Sequence, residues 1–145
     1  MIGLIQRVVE ANVRVKGEIQ AEIGVGLLVL VGITPTDTED SALRLLHRLL
    51  QYRIFNDEAG RMNLSLTEVD GALLLVPQFT LAADTHKGLR PGFSGAAAPE
   101  LARRLFEGLV DAAKTEYALV QSGVFGANMQ VSLTNDGPVT FWLES

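Results

Sequence analysis

The sequence predicts an α+β domain: a mainly antiparallel, barrel-like β-sheet with two amphipathic helices packed over one face. Three observations lead there. Strand-like alternation fills both ends of the chain, two short runs that are apolar at every position lie between them, and helical periodicity is confined to two separate blocks. Many strands with helices in blocks of their own is the pattern of that class.

The elements follow in order. From Ile2 to Val15 the chain reads as a strand, with Val13 and Val15 alternating against Asn12 and Arg14, and Lys16-Gly17 supplies a turn before Glu18 to Ile23. The protein opens with a hairpin. Leu27 to Val31 is apolar throughout and flanked by glycines, as a central strand buried on both faces requires. After Thr34-Pro35 the period changes, and Ala42, Leu45, Leu46, Leu49 and Leu50 recur at helical spacing behind Thr38 or Asp40 as cap. Asn56 to Gly60 is a polar turn, and Ala72 to Val76 is a second buried strand. Leu81 to Ala97 holds Gly88, Pro91, Gly92 and Gly95 with little periodicity, a long loop of the kind that is usually functional or mobile. Pro99 suits the first turn of a second helix whose apolar face carries Leu101, Leu105, Phe106, Leu109 and Ala113. Strand pattern resumes at Val120. Met129, Val131 and Leu133 alternate with Gln130 and Ser132, and Asn135-Asp136-Gly137-Pro138 reads as a turn into Val139 to Leu143. With 145 residues and no linker, repeat or low-complexity stretch, residues 1–145 are expected to form a single domain.

Composition narrows the chemistry. The first residues lack the pattern of a secretory signal and no stretch is long enough to cross a bilayer, so a cytoplasmic location without membrane contact is expected. Without cysteine there is no disulfide framework, thiolate nucleophile or cysteine-held metal, and with His47 and His86 as the two histidines no metal or other cofactor is expected. A net charge of -5 excludes binding nucleic acid through a broad basic face. Local basic patches remain: Lys87 and Arg90 in the long loop, and Arg103 and Arg104 on the second helix, all of which also read as ordinary solvated side chains.

Val76-Pro77-Gln78-Phe79-Thr80 ends an apolar strand and brings a hydroxyl, an amide and successive backbone N–H groups to the long loop. Adjacent N–H groups of Phe79 and Thr80 can hold the negative charge that develops on a carbonyl under attack, with no ionisable side chain involved. Thr80 as a nucleophile is the alternative, but it needs a general base, and His86 with Asp84 close by offers only a loop histidine of the kind that is usually solvated. His47 belongs on a helix surface. Asn135 to Thr140 needs no function, since Asp-Gly-Pro signals a turn; its functional possibility is a cis Gly137-Pro138 bond that aims carbonyl oxygens in an unusual direction. Phe125, flanked by glycines, is core, turn or pocket wall, and the alternation around Met129 explains that residue equally well as core.

Along nearly its whole length the sequence resembles the D-aminoacyl-tRNA deacylase family. The family's Ser-Gln-Phe-Thr motif appears as Pro77-Gln78-Phe79-Thr80, and its Gly-Pro-Val-Thr motif preceded by Asn appears as Asn135 through Thr140. Supporting matches are Ile5-Gln6-Arg7-Val8, Tyr52-Arg53-Ile54-Phe55, Gly60-Arg61-Met62-Asn63, Lys87-Gly88-Leu89-Arg90-Pro91 and Val139-Thr140-Phe141-Trp142-Leu143. The resemblance implies hydrolysis of the ester of D-aminoacyl-tRNA, with glycyl-tRNA as a further substrate and no cofactor, by a homodimer whose active sites lie at the subunit interface. It makes Gln78, Phe79 and Thr80 the catalytic pocket, assisted by the terminal ribose 2′-hydroxyl of the tRNA. Gly137 and Pro138, joined by a cis bond, become a filter that rejects L-residues, with Phe125 and Met129 beside the substrate. Arg7 supports that element; Lys87 and Arg90, the basic residues of the long loop, are the candidates for contact with tRNA. The chain departs from the family at Pro77, where serine is usual, and at Gly92, where serine is common. Two other classes stay open: a hydrolase of small D-amino-acid esters that uses Thr80 directly, and a dimeric binding module without turnover.

Overall fold

In the computed structural model, residues 1–86 and 88–145 are described, and they form eight strands, two α-helices and one 3₁₀ turn. Strand β1 (Ile2–Val15) is the spine of the sheet. It pairs antiparallel with β2 (Glu18–Ile23), β3 (Gly26–Gly32) and β8 (Gln130–Glu144), while β6 (Ala72–Pro77) lies parallel to β3, and β7 (Val120–Ser122) parallel to β6. The order β2-β1-β3-β6-β7, with β8 on the other edge of β1 and β2 packed back over β6 and β7, curls the mostly antiparallel sheet until it is nearly closed and barrel-like. Lys16 and Gly17 both have positive φ, 51° and 84°, the backbone of a two-residue turn whose twist matches the strands it joins.

The central strands are apolar at every position because both faces are covered. Leu27, Val29, Leu73 and Leu75 face the helices, whereas Leu28, Leu74 and Val76 face the inside of the curl with Val8, Val13 and Ile23. Each such fully buried side chain contributes about 2 kcal/mol relative to exposure. Where β3 and β6 begin, a Cβ on Gly26 would stand 1.9 Å from the carbonyl oxygen of Ala72, so the pairing depends on that glycine.

Helices α1 (Glu39–Gln51) and α2 (Pro99–Glu116) lie on one face of the sheet and bury the apolar stripes read from the sequence. Thr38 caps α1: its hydroxyl accepts from Ser41 N at 3.3 Å, while the Ser41 hydroxyl accepts from Thr38 N at 3.2 Å. Thr38→Ala should therefore cost about 1 kcal/mol of stability, read as a lowered urea midpoint at unchanged slope. Beside this cap, Asp37 is buried, which pushes its carboxyl up, but hydrogen bonds from the Met1 ammonium and from Thr34 outweigh burial and hold it below the usual carboxylate range. Among the described residues no helix is long and apolar enough to cross a membrane.

Two features differ from the sequence expectation. The polar turn at Asn56 to Gly60 sits between two very short strands, β4 (Phe55–Asn56) and β5 (Met62–Leu64), which pair with each other in a separate small sheet. Asn135 to Pro138 is not a turn between two strands. Both halves of β8 run in one direction along β1: Thr140 stands opposite Gln6 and Asn135 opposite Val8, so β1 advances by two residues where β8 advances by five. The surplus residues are looped out as a bulge. The turn-forming residues bend the chain locally, but pairing with β1 on both sides keeps the strand's course.

Candidate active site

Strand β6 ends at Pro77, which has no N–H to extend the ladder, and Gln78 N makes the last bond, to Val31 O at 2.8 Å. The chain then bends into the 3₁₀ turn Phe79–Ala82, which no side chain caps. This bend opens a pocket of about 470 Å³. Its walls are Val76 to Phe79, Ala97 with Pro99 and Ala102 at the start of α2, and Phe125 to Ala127 with Met129 and Val131 leading into β8.

Of the residues named from the sequence, Gln78, Phe79, Phe125 and Met129 share this pocket. Thr80 is tied to it by Gln78, whose Nε2 donates to Thr80 Oγ1 at 2.6 Å. That bond fixes the hydroxyl as an acceptor and offers it no base. His86, the sequence candidate for that role, is exposed, and its backbone N–H donates to Asp84 Oδ1 at 3.0 Å. His47 is exposed on α1.

The long loop is less open than its glycines imply. Asp84 and Gly92 exchange backbone hydrogen bonds at 2.7 and 2.9 Å and pinch its neck, and Phe93, just beyond, sets its ring 5.2 Å from that of Phe79. Arg90 is exposed on the loop between them, and Lys87 lies outside the described residues. Nothing in sequence marked Phe93, or Pro99 and Ala102, as neighbours of the site. Their assignment needs the packing of α2 and the loop against the end of β6.

The Gly137-Pro138 element is built separately. The peptide bond between these residues is cis, and Gly137 has φ +150°, a conformation that L side chains rarely adopt. Asn135 closes the bulge like a clasp: its Oδ1 accepts from Val139 N at 2.6 Å, and its Nδ2 donates to Val139 O at 3.2 Å and Thr140 Oγ1 at 3.1 Å. Arg7 fastens it from beneath. Its side chain is buried, with the residue 6% exposed. Its Nε donates to Asp136 O at 3.0 Å and lies 3.2 Å from Asp136 Oδ2, while Nη1 donates to Ile54 O at 2.7 Å and Asn56 Oδ1 at 3.3 Å. One guanidinium thus joins β1, the β4 segment and the bulge, and its charge is met by oxygens on each side, which is what its burial demands.

Neither Gly137 nor Pro138 lines the pocket. Val131 in the pocket wall stands opposite Val13, and Asn135 at the base of the bulge stands opposite Val8. Five residues of extended strand separate those positions, about 16 Å. Within one chain the fold holds the pocket and the bulge apart. Among the described residues no three His, Asp or Glu side chains gather as a metal-binding group.

The family model described as D-Tyr-tRNA(Tyr) deacylase matches residues 4–144. A relative from Thioalkalivibrio sulfidiphilus (strain HL-EbGR7) named D-aminoacyl-tRNA deacylase is 61% identical over 144 residues, spanning 99% of this chain and 97% of its own. Another of that name, from Pseudomonas putida strain KT2440, is 59% identical over 144 residues, 99% of both chains. Among solved structures, a protein named c-Myc DNA Unwinding Element Binding Protein superposes with a TM-score of 0.95 at 38% identity, over 100% of this chain and 99% of its own.

Proposed function

This chain belongs to the D-Tyr-tRNA(Tyr) deacylase family, and from that membership we propose that it hydrolyses the ester joining a D-amino acid to the 3′ end of tRNA, releasing the free amino acid and tRNA in the cytoplasm. The observation that carries the proposal is the pocket at the end of β6, where Gln78 and Phe79, with Thr80 bonded to Gln78 at its edge, meet Phe125 and Met129 on a largely apolar floor. The ester carbonyl sits against the backbone N–H groups of Phe79 and Thr80, which hold the oxyanion as water attacks with the neighbouring ribose 2′-hydroxyl assisting; the acyl–oxygen bond then breaks and the proton from water goes to the departing ribose oxygen. Polar recognition then falls on parts common to every aminoacyl ester, so the amino-acid side chain is left unread and many D-residues are accepted.

Handedness is read by Gly137 and Pro138, whose carbonyls crowd the α-carbon so that an L side chain clashes while a D side chain or the hydrogen of glycine fits. Glycyl-tRNA is a substrate on the same logic. Because the bulge is held away from the pocket of its own chain, a second copy supplies it. The protein acts as a homodimer of single-domain subunits with interfacial active sites, and the outer edge of β8, a 15-residue strand paired on its β1 side, with Trp142 half exposed on it, is suited to such an interface. Pro77 leaves this chemistry intact because it deletes a hydroxyl and an N–H ahead of the donors, and Gln78 keeps its bond to Val31.

Parallel incubation with D-tyrosyl-tRNA and L-tyrosyl-tRNA in the presence of a chelator tests the reading. Loss of the D-ester alone is expected. Turnover of D-tyrosine esters equally well without tRNA would replace the proposal with a small-ester hydrolase, and no turnover by a folded dimer would replace it with a binding module. Thr80→Ala separates donor from nucleophile. With the backbone N–H retained, kcat should fall by less than about tenfold, the loss of one neutral hydrogen bond, whereas a nucleophile's removal would abolish activity.

A further inference from the structure

We propose that Arg103 is a phosphate-binding residue at the rim of the pocket, holding the phosphodiester next to the terminal nucleoside of the substrate; this names a subsite for the deacylase reading above and rests on it. The Arg103 guanidinium lies 4.9 Å from the centre of the Phe125 ring, and its Nη2 is 3.6 Å from the point where a Cβ of Gly126 would stand. Phe125 and Gly126 are both pocket walls. Arg103 itself lines the adjoining cavity, which shares the Phe125 wall, so the cation stands just outside the pocket, across that ring.

A guanidinium stacked on an aromatic face uses its flat surface for that contact and keeps its edge of N–H donors free for a planar or tetrahedral oxyanion. The charge is also little countered. Glu107, one helical turn on, stands 3.6 Å away with both side chains more than half exposed, a loose pair of small energy in water. Arg104, next along the helix, is turned to Glu39 at 2.8 Å. A chain of net charge -5 gains nothing from long-range attraction to a polyanion, so phosphate affinity has to come from cations placed at the site. A terminal nucleoside against Phe125 brings the preceding phosphodiester out over the rim, where Arg103 waits.

Two substrates isolate the contact: D-tyrosyl-tRNA, which carries that phosphate, and D-tyrosyl-adenosine, which has none. Arg103→Ala should lower kcat/KM on the tRNA ester by about tenfold through KM, the lower end of what a charge-assisted hydrogen bond is worth, and leave the adenosine ester unchanged. The salt dependence on the tRNA ester should become shallower by about 0.7 in log–log slope, one single-strand phosphate contact. Arg103→Lys should keep most of that slope. Equal losses on both substrates would show that Arg103 only props Phe125, and no loss on either would remove the assignment. Binding of the trinucleotide cytidylyl-cytidylyl-adenosine to the wild-type and Arg103→Ala proteins gives a readout without turnover. Weaker binding to the variant in a protein that hydrolyses neither ester would keep the phosphate subsite and overturn the deacylase reading instead.

Discussion

Replacing the amide between Phe79 and Thr80 with an ester, which deletes the Thr80 N–H and leaves every side chain in place, is expected to lower kcat on D-aminoacyl-tRNA by about 10²- to 10³-fold. The argument rests on what the pocket lacks as much as on what it holds. Its walls are mostly apolar, the Thr80 hydroxyl accepts from Gln78, and His86 is exposed on the loop and is not among the residues lining the pocket, so the developing oxyanion is assigned to the backbone N–H groups at the bend after Pro77. Phe79 and Thr80 are exposed in the single chain; once bound substrate and a second subunit cover them, such a donor is worth far more than the roughly 1 kcal/mol of a solvated hydrogen bond. Because the 3₁₀ turn Phe79–Ala82 is not capped by a side chain, the ester removes no native cap, and an unchanged melting temperature should accompany the loss. A fully active ester variant would place the oxyanion elsewhere.

The second large effect is expected from Gly137→Ala. At φ +150° an alanine is strained wherever its methyl points, and here the methyl would lie 2.5 Å from Val139 Cγ2 and 2.7 Å from Val139 N. Val139 cannot give way easily. It is buried in the main core, and its N–H is clasped by Asn135 at 2.6 Å. The bulge must move instead. A stability loss of about 1–3 kcal/mol is expected from the strained backbone, together with at least a tenfold fall in the ratio of D- to L-tyrosyl-tRNA hydrolysis, about 1.4 kcal/mol of discrimination. Urea unfolding and the paired deacylation assay read the two separately. An unchanged ratio in a destabilised protein would leave Gly137 a structural residue and take the filter away from it.

Much of this molecule was legible in one dimension. The stripes of α1 and α2, the doubly buried strands β3 and β6, and the hairpin at Lys16-Gly17 are local patterns, and local patterns survive folding when the core they face is large. The site was legible in part for the same reason: a strand that stops at Pro77 and leaves Gln78, Phe79 and Thr80 at its end announces a bend. What escaped depends on distant partners. The family resemblance points to Arg7 as a support of the Gly137-Pro138 element, but its burial does not follow from the alternation around it; it follows from oxygens 47 and 129 residues away. The bulge was read as a turn because Asn-Asp-Gly-Pro carries turn chemistry, while the straight course of β8 is decided by β1 at the other end of the chain. Strands as short as β4 and β5 have too few residues to show an alternation at all.

The clasp in β8 also has a mechanical meaning. Where the bulge leaves and rejoins the strand, Asn135 and Val139 are joined directly by hydrogen bonds of the Asn135 side chain at 2.6 and 3.2 Å, a second, non-covalent tie parallel to the backbone through Asp136, Gly137 and Pro138. The neck of the bulge is thus set by one side chain, independently of the backbone path through Asp136, Gly137 and Pro138.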